Sequence, residues 1–156
     1  MDIKLLVIGN LDKPFLQTGC QLYLERIKMY SKIDVIEIKE LVNQPVNVLK
    51  QNQTKLMIEK LAKSYPDYYK VLLDINGQQI ASEQLSAMIS EIQTYRQGKL
   101  VFIIGPSHGF TDEIHSKVHK IISFGAITLP HQLCRLILLE QVYRAFTIIN
   151  NEKYHK

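Results

Sequence analysis

The chain has 156 residues, 46% of them hydrophobic, which is typical of one globular domain with a sizeable core. Its formal charge of +4 is compatible with a polyanionic partner, but basic and acidic residues are interspersed, so charge alone does not require one. No apolar run approaches the ~20 residues needed to cross a bilayer, and Met1–Lys4 leads directly into a strand-like run instead of a signal peptide. We therefore expect one domain over residues 1–156, located in the cytoplasm.

Five short runs of β-branched and aliphatic residues predict strands at Ile3–Ile8, Ile33–Ile38, Val71–Ile75, Leu100–Ile104 and Ile121–Ile127. The runs are continuous rather than alternating, as expected of strands buried on both faces. Helical stretches separate and follow them, at Pro14–Tyr30, Val48–Ser64, Glu83–Arg96, Asp112–Val118 and Gln132–Ile149. This alternation predicts an α/β fold with a mostly parallel sheet and helices on both faces.

Polar and special residues mark the expected element boundaries. Asp12, Ser82 and Thr111 each precede a helical stretch and can supply a capping oxygen. Gly98 is expected to end the third helix, because glycine accepts the backbone conformation found after helices. The stretch Asn43–Asn47, with a proline at its centre, predicts the loosest connection.

The last helix is apolar on more than one face, with Leu133, Leu136, Ile137, Leu138, Leu139, Val142, Tyr143, Phe146, Ile148 and Ile149. A surface helix shows a single apolar stripe, so this helix must be buried on several sides. It is either central to the fold or part of a subunit interface. A two-fold symmetric dimer is the commonest form of such an interface.

Cysteine and histidine spacings give little support for a disulfide or a metal site. Cys20 and Cys134 lie far apart in sequence and are expected to be reduced core thiols. His115 and His119 are four residues apart and can share a helix face, but no third ligand is evident. We expect no bound metal.

The glycine-containing segment Gly105–Gly109 follows a predicted strand, yet it matches neither the dinucleotide fingerprint nor the P-loop. The helix after it carries Asp112 and Glu113 in its first turn, where they would repel a phosphate. This pattern disfavours NAD, ATP and GTP. S-adenosylmethionine has no phosphate and carries a sulfonium cation, so it meets no such objection.

Three motifs near the end of the chain are specific when taken together and in order: Leu129-Pro130-His131-Gln132, Glu140-Gln141-Val142-Tyr143-Arg144-Ala145 and Tyr154-His155-Lys156. With these motifs and the segments Ile3–Gly9, Leu72–Gly77 and Phe102–Gly109, essentially the whole chain resembles the ribosomal RNA large-subunit methyltransferase H family. Members of that family are SPOUT enzymes that methylate N3 of a pseudouridine in 23S rRNA.

The resemblance implies a SPOUT α/β-knot with a deep C-terminal trefoil knot, and a homodimer with its S-adenosylmethionine site beside the interface. The implied cofactor contacts, made largely by backbone groups, are Leu73, Gly105, Phe124, Gly125, Ala126, Ile127, Thr128 and Leu129. Gly105 is expected to let the backbone approach the cofactor closely. One departure is Pro106, where the family usually has a second glycine, because proline removes an amide donor. We expect activity to survive this change.

Methylation of N3 requires a base and a cation, since N3 loses a proton and negative charge spreads onto two neighbouring carbonyl oxygens. By the resemblance, Arg144 is expected to stabilise that charge or to bind a phosphate. The alternative for Arg144 is an ion pair with Glu140, four residues earlier on the same helix.

The chain end is assigned by the resemblance to the RNA side of the site. Histidine titrates near neutral pH, so His155 is the natural proton acceptor, while Tyr154 stacks on a base and Lys156 meets a phosphate. The alternative is a disordered tail, and in either case we expect these residues to contribute little to the fold. His131 is a further candidate, for which a structural role is favoured because it follows Pro130 at a helix start.

Two other functions remain open at this level. One is a non-catalytic, ribosome-associated binding module that keeps the fold without using a cofactor. The other is a SPOUT methyltransferase acting on transfer RNA, with the same cofactor site and a different RNA-binding tail. The resemblance itself implies the assembled ribosome as substrate.

Overall fold

The computed structural model describes all residues from 1 to 156, as a sheet of five strands with helices around it. The elements in chain order are β1 (Asp2–Ile8), α1 (Pro14–Ile27), β2 (Lys32–Ile38), α2 (Val46–Ser64), β3 (Tyr69–Gln79), α3 (Ser82–Tyr95), β4 (Lys99–Ile104), a 3-10 helix (Asp112–Lys117), β5 (Lys120–Ser123) and α4 (His131–Ile149). The strand order is β2-β1-β4-β3-β5, and every neighbouring pair is parallel. The predicted α/β fold with a parallel sheet is confirmed, whereas the knot stays a prediction.

Both faces of the sheet are covered, which explains why the strand runs are continuous. In β1, Ile3, Leu5 and Val7 belong to the larger core beneath α1, α3 and α4. Leu6 and Ile8 point the other way, into a smaller core with α2 and the 3-10 helix. Because successive side chains of a strand point to opposite faces, a strand buried on both sides has no polar alternation. The expected helices on both faces are confirmed.

Helix α4 packs between α1 and α3, and no residue from His131 to Ile149 is exposed. Leu138, Leu139 and Val142 are at most 1% exposed. Phe146 is 2% exposed and stacks on Tyr30, with ring centroids 5.5 Å apart. The predicted burial of this helix on several sides is confirmed, and most of that burial comes from contacts within one chain.

Strand β5 is shorter than predicted, since it ends at Ser123 and not at Ile127. Gly125 has φ +126°, a backbone conformation that a strand does not contain. The hydroxyl of Ser123 donates to the carbonyl oxygen of Gly125 at 2.8 Å and accepts its N–H at 3.1 Å, which closes a turn at this point. The aliphatic residues after Ser123 therefore belong to a loop.

Strand β3 is longer than predicted and irregular. Its pairing with β5 shifts register between Leu73 and Gln78, which leaves the residues between them out of the regular ladder. A Cβ atom at Gly77 would lie 2.7 Å from the backbone carbon of Ile122, so only glycine allows the two strands to approach here.

The helix boundaries differ from the predicted ones by up to three residues, the largest difference being the end of α1 at Ile27 and not at Tyr30. Lys13, not Asp12, precedes α1, and Ala81, not Ser82, precedes α3; neither start has a side-chain cap. Instead, the N–H of Ala81 donates to the side chain of Gln84 at 2.8 Å. Gly98 does lie just beyond α3, with φ +65° and its N–H bonded to the carbonyl of Ile92.

Two chain-wide properties bear on the function. None of the helices combines the length and apolar character that a membrane span requires. Both cysteines are free: Cys20 is buried, and Cys134 is half-buried at the amino end of α4.

Candidate active site

The carboxyl ends of the parallel strands meet at one edge of the sheet, where α/β folds commonly bind ligands. A cleft of about 220 Å³ lies there, which we call the carboxyl-edge cleft. It is lined by the irregular part of β3, the loop after β4, the turn after β5 and the amino end of α4. The lining residues are Leu72, Leu73, Asp74, Ile75, Ile104, Gly105, Pro106, Ser107, Gly109, Phe110, Ile122, Ser123, Phe124, Gly125, Ile127, Thr128, Leu129, His131 and Cys134.

Seven of the eight residues expected to contact a cofactor line this cleft: Leu73, Gly105, Phe124, Gly125, Ile127, Thr128 and Leu129. The eighth, Ala126, lies exposed in the same turn without lining the cleft. These residues come from three segments of the chain that the parallel sheet brings to one edge. Their contact with a cofactor stays a prediction.

Gly105 has a neighbour that the sequence did not indicate. A Cβ atom at this position would lie 3.0 Å from both Cδ2 and Cε2 of the Phe110 ring. Phe110 lines the cleft and packs against the smaller core. The absence of a side chain at Gly105 therefore lets Phe110 close one wall of the cleft. A role for Gly105 in direct backbone approach to a cofactor is a separate expectation.

The charge in the cleft is sparse and mostly negative. Asp74 is its one lining carboxylate; it accepts the N–H of Asn76 at 2.9 Å, and its other oxygen lies 3.6 Å from Nε2 of His115. Burial raises the pKa of the Cys134 thiol to about 11, so this thiol is neutral near pH 7. The cleft thus suits an apolar ligand that carries positive charge.

A second group of polar side chains lies near the other end of α4 and at the chain end, and we call it the tail cluster. It consists of Glu83, Glu140, Arg144, Tyr154 and His155. Oε1 of Glu140 accepts hydrogen bonds from Nη2 of Arg144 at 2.6 Å, from Nε of Arg144 at 3.0 Å and from the Tyr154 hydroxyl at 3.1 Å. The Glu140 carboxylate raises the pKa of the Arg144 guanidinium, which stays charged. The ion pair considered from the sequence is therefore present.

Aromatic packing holds the tail against α4. The Tyr154 ring meets the Tyr143 ring edge-on, with centroids 4.7 Å apart, and the Arg144 guanidinium lies 4.8 Å from the Tyr154 centroid. Burial, together with hydrogen bonds to Tyr23 and Glu140, raises the pKa of the Tyr154 phenol. The tail is therefore folded onto the protein, and the expectation that it adds little to the fold is wrong for Tyr154.

His155 has partners on both ring nitrogens. Its Nδ1 lies 3.3 Å from Nη1 of Arg144, and its Nε2 lies 2.9 Å from Oε1 of Glu83 at the start of α3. Arginine only donates, so Nδ1 accepts, and the proton belongs on Nε2, facing the carboxylate. The contact with His155 helps to lower the pKa of Glu83, after the larger effect of the backbone hydrogen bond. Lys156 is exposed.

The structure does not join these two groups within one chain. Cys134 lies at the cleft, and Arg144 follows it by ten residues on α4, which is about 15 Å along a helix axis. His131 is the one candidate for proton transfer that lines the cleft. Arg144, Tyr154 and His155 contact one another, but they do not line the cleft.

Residues 1–155 match the family described as "Predicted SPOUT methyltransferase". The chain belongs to the SPOUT methyltransferase family. Three relatives named ribosomal RNA large subunit methyltransferase H match this methyltransferase over the full length of both chains. They come from Mycoplasma mycoides, Carboxydothermus hydrogenoformans and Bacillus pumilus, and are 44%, 40% and 36% identical to it, respectively. The solved structure of a probable methylase family protein from Haemophilus influenzae is also similar, and the alignment covers 97% of this chain and 67% of that protein's chain. With a TM-score of 0.53 and 14% identity, it supports the fold alone.

Several residues of this SPOUT methyltransferase escaped the sequence analysis although they shape the cleft. Asp74 follows the hydrophobic run of β3 at the carboxyl edge, and that position is a signal that would have found it. Phe110 and Ser123 gave no signal, because their roles depend on contacts with Gly105 and with the turn at Gly125.

Proposed function

We propose that the chain transfers the methyl group of S-adenosylmethionine to N3 of a pseudouridine in 23S rRNA, on the assembled ribosome and hence in the cytoplasm. The relatives named ribosomal RNA large subunit methyltransferase H support this over their full length. The observation that carries the proposal is the carboxyl-edge cleft, which gathers seven of the eight expected cofactor residues. Residues 1–156 would act together as one SPOUT domain.

The composition of the cleft supports S-adenosylmethionine as the methyl donor. Its aliphatic and aromatic lining suits an adenine ring, and the Asp74 carboxylate suits a ligand with a sulfonium and an amino group. When bound, this cofactor supplies an electrophilic methyl group. The chain holds the turn at Gly125 in place through Ser123, and a Cβ atom at Gly125 would meet no atom within 4 Å. Backbone groups of this turn would bind and orient the cofactor.

The tail cluster supports a role on the RNA side. Glu140 holds the Arg144 guanidinium in place but does not occupy all of its N–H groups. Arg144 can therefore stabilise a developing oxyanion or bind a phosphate. Tyr154 would stack on a base, and Lys156 would bind a phosphate. To accept the N3 proton, His155 must exchange Arg144 or Glu83 for the substrate.

A homodimer would unite the cleft of one copy with the tail cluster of another. On the outer side of α1, Phe15 is 69% exposed and Leu22 is 43% exposed; Met29, just after the helix, is 79% exposed. Residues seven apart share a helix face, so Phe15 and Leu22 form an apolar stripe on α1 that a second copy would cover, with Met29 exposed just beyond the helix end. The separation of about 15 Å along α4 supports the same arrangement.

The test is labelled methyl transfer from S-adenosylmethionine to ribosomes, separate subunits, free rRNA and transfer RNA, all taken from a strain that lacks this protein. We expect methylation of ribosomes and release of a methylated pseudouridine on nuclease digestion. Transfer to tRNA alone would assign the chain to tRNA modification. Failure to bind S-adenosylmethionine at millimolar concentration would leave a non-catalytic binding module.

A further inference from the structure

The loop from Gly105 to Thr111 forms one wall of the carboxyl-edge cleft; its Phe110 ring packs against the smaller core, and few hydrogen bonds hold the rest of it. Within the loop, the N–H of Gly109 donates to the carbonyl of Pro106 at 2.9 Å. Outside it, the Ser107 hydroxyl donates to Oε1 of Glu40 at 3.2 Å, and the N–H of Thr111 donates to the hydroxyl oxygen of Thr54 at 2.9 Å. Both external hydrogen bonds lead towards α2.

Thr54 lies in the interior of α2 and is completely buried, which is unusual for a polar helix residue. Its hydroxyl has one proton, and that proton is donated to the carbonyl of Lys50 at 2.6 Å. The oxygen is therefore left as an acceptor, aimed at the N–H of Thr111. One buried oxygen thus fixes the far end of the loop.

Gln53, the residue before Thr54, is 2% exposed and fixes the other support of the loop. Its Oε1 accepts the N–H of Leu41 at 2.9 Å, and its Nε2 donates to the carbonyl of Lys39 at 3.3 Å. Lys39 and Leu41 flank Glu40, whose carboxylate accepts a hydrogen bond from the Ser107 hydroxyl. The side chain of Gln53 therefore places Glu40 where it can reach Ser107.

We propose that Gln53 and Thr54 are positioning residues for the methyl donor. From one buried turn of α2, Thr54 accepts the N–H of Thr111 directly, and Gln53 holds the segment that carries Glu40, the acceptor of the Ser107 hydroxyl. Neither residue lines the cleft, so each acts through the loop that it bonds. The inference rests on the proposed function for the identity of the ligand. Without these bonds, the loop keeps its internal turn and the packing of Phe110, and loses its polar anchors to Thr54 and Glu40.

The experiment replaces Thr54 with valine, which keeps the shape of the side chain and removes the oxygen. We expect Thr54→Val to weaken S-adenosylmethionine binding about five- to tenfold, as for one lost hydrogen bond. KM for the cofactor should rise to a similar extent, while kcat at saturating cofactor stays within about twofold. The amide of Thr111, which loses its acceptor, should exchange faster with deuterium. Thr54→Ser retains the oxygen and should restore affinity, KM and exchange.

The control for the bond within the helix is Thr94→Val, at an exposed position. Thr94 donates the same kind of bond to the carbonyl four residues earlier on α3, at 2.9 Å to Ser90, and accepts nothing from a loop. It should leave affinity and loop exchange unchanged. Gln53→Met, which removes the second support, should raise the exchange of Leu41, whose N–H loses its acceptor.

Three results would overturn the inference: unchanged affinity in Thr54→Val, an equal loss in Thr94→Val, or no recovery in Thr54→Ser. If the wild-type protein itself fails to bind S-adenosylmethionine, the proposed function fails instead. Hydrogen exchange of the loop then decides alone whether the two residues hold it.

Discussion

The two candidate functional regions, which lie towards opposite ends of α4, consist of different kinds of groups. At its amino end, the carboxyl-edge cleft is made of loops and backbone, with Asp74 as its one carboxylate. Towards its other end, the tail cluster is made of side chains, in which Arg144 and Tyr154 both donate hydrogen bonds to Glu140. A ligand held by backbone tolerates many substitutions in the lining residues, whereas a cluster of charged side chains fails when one member is lost. The two regions should therefore respond differently to mutation.

Deletion of residues 153 to 156 should have the largest effect. Methylation of ribosomes should fall by orders of magnitude, because the deletion removes the candidate base and a stacking side chain. Affinity for S-adenosylmethionine, measured by calorimetry, should stay nearly unchanged, because none of the expected cofactor residues belongs to the tail. The free energy of unfolding should fall by about 1–2 kcal/mol, since Tyr154 loses its ring contact and its hydrogen bond to Glu140.

His155→Ala separates the roles within the tail. If His155 is the base, the single substitution should reproduce most of the activity loss with the stability of the wild type. Full activity in the deletion variant would exclude the tail from the chemistry. Proton transfer and charge stabilisation would then fall to His131 and Arg144.

The next effect concerns the surface that would join the two regions. Leu22→Asp should place a charge in the apolar stripe on α1, so that sedimentation detects monomers and methylation is lost. Leu56→Asp is the matched control, because Leu56 is 42% exposed and lies on α2, across the sheet, against 43% for Leu22. A wild-type protein that sediments as a monomer at micromolar concentration would contradict the dimer. Phe146→Asp is unsuitable as a test, since Phe146 lies in the core of its own chain.

A smaller effect is expected within the cleft. Gly105→Val should weaken S-adenosylmethionine binding at least about tenfold, or about 1.4 kcal/mol. The new side chain would push the Phe110 ring, which lies 3.0 Å from the Cβ position, into the cleft. Ala62→Val is the control, because Ala62 is exposed on α2 and does not line the cleft. Unchanged binding in a folded Gly105→Val protein would remove this wall from the site.

The smallest effect is a change in thiol reactivity. With its pKa raised to about 11, Cys134 is almost entirely protonated at pH 8, and only the thiolate reacts quickly. Alkylation by iodoacetamide, followed by peptide mass analysis, should therefore be slow at pH 8 and accelerate as the pH approaches 11. S-adenosylmethionine should slow it further. If alkylation at pH 8 is rapid and S-adenosylmethionine does not slow it, Cys134 lies outside the binding region.

The sequence predicted the regular parts of this fold well, since strands such as Ile3–Ile8 are recognisable from composition alone. It failed where one residue changes the backbone: the aliphatic run after Ser123 looks like strand, but Gly125 turns it into a loop. The resemblance named the residues that now line the cleft. No local pattern could show that Phe110 rests on Gly105, or that Tyr154 folds back onto Tyr143, because these contacts join distant segments or depend on the path of the chain end.

The strand order also has a consequence for biosynthesis. Strand β5 occupies the edge of the sheet next to β3, and α4 packs between α1 and α3, so two elements made after the other strands complete both the cleft and the larger core. Parallel pairing of segments distant in sequence is slow to form. A nascent chain that lacks α4 would expose the apolar faces of α1 and α3 to water. The cleft and the larger core are therefore complete only once α4 has packed between α1 and α3.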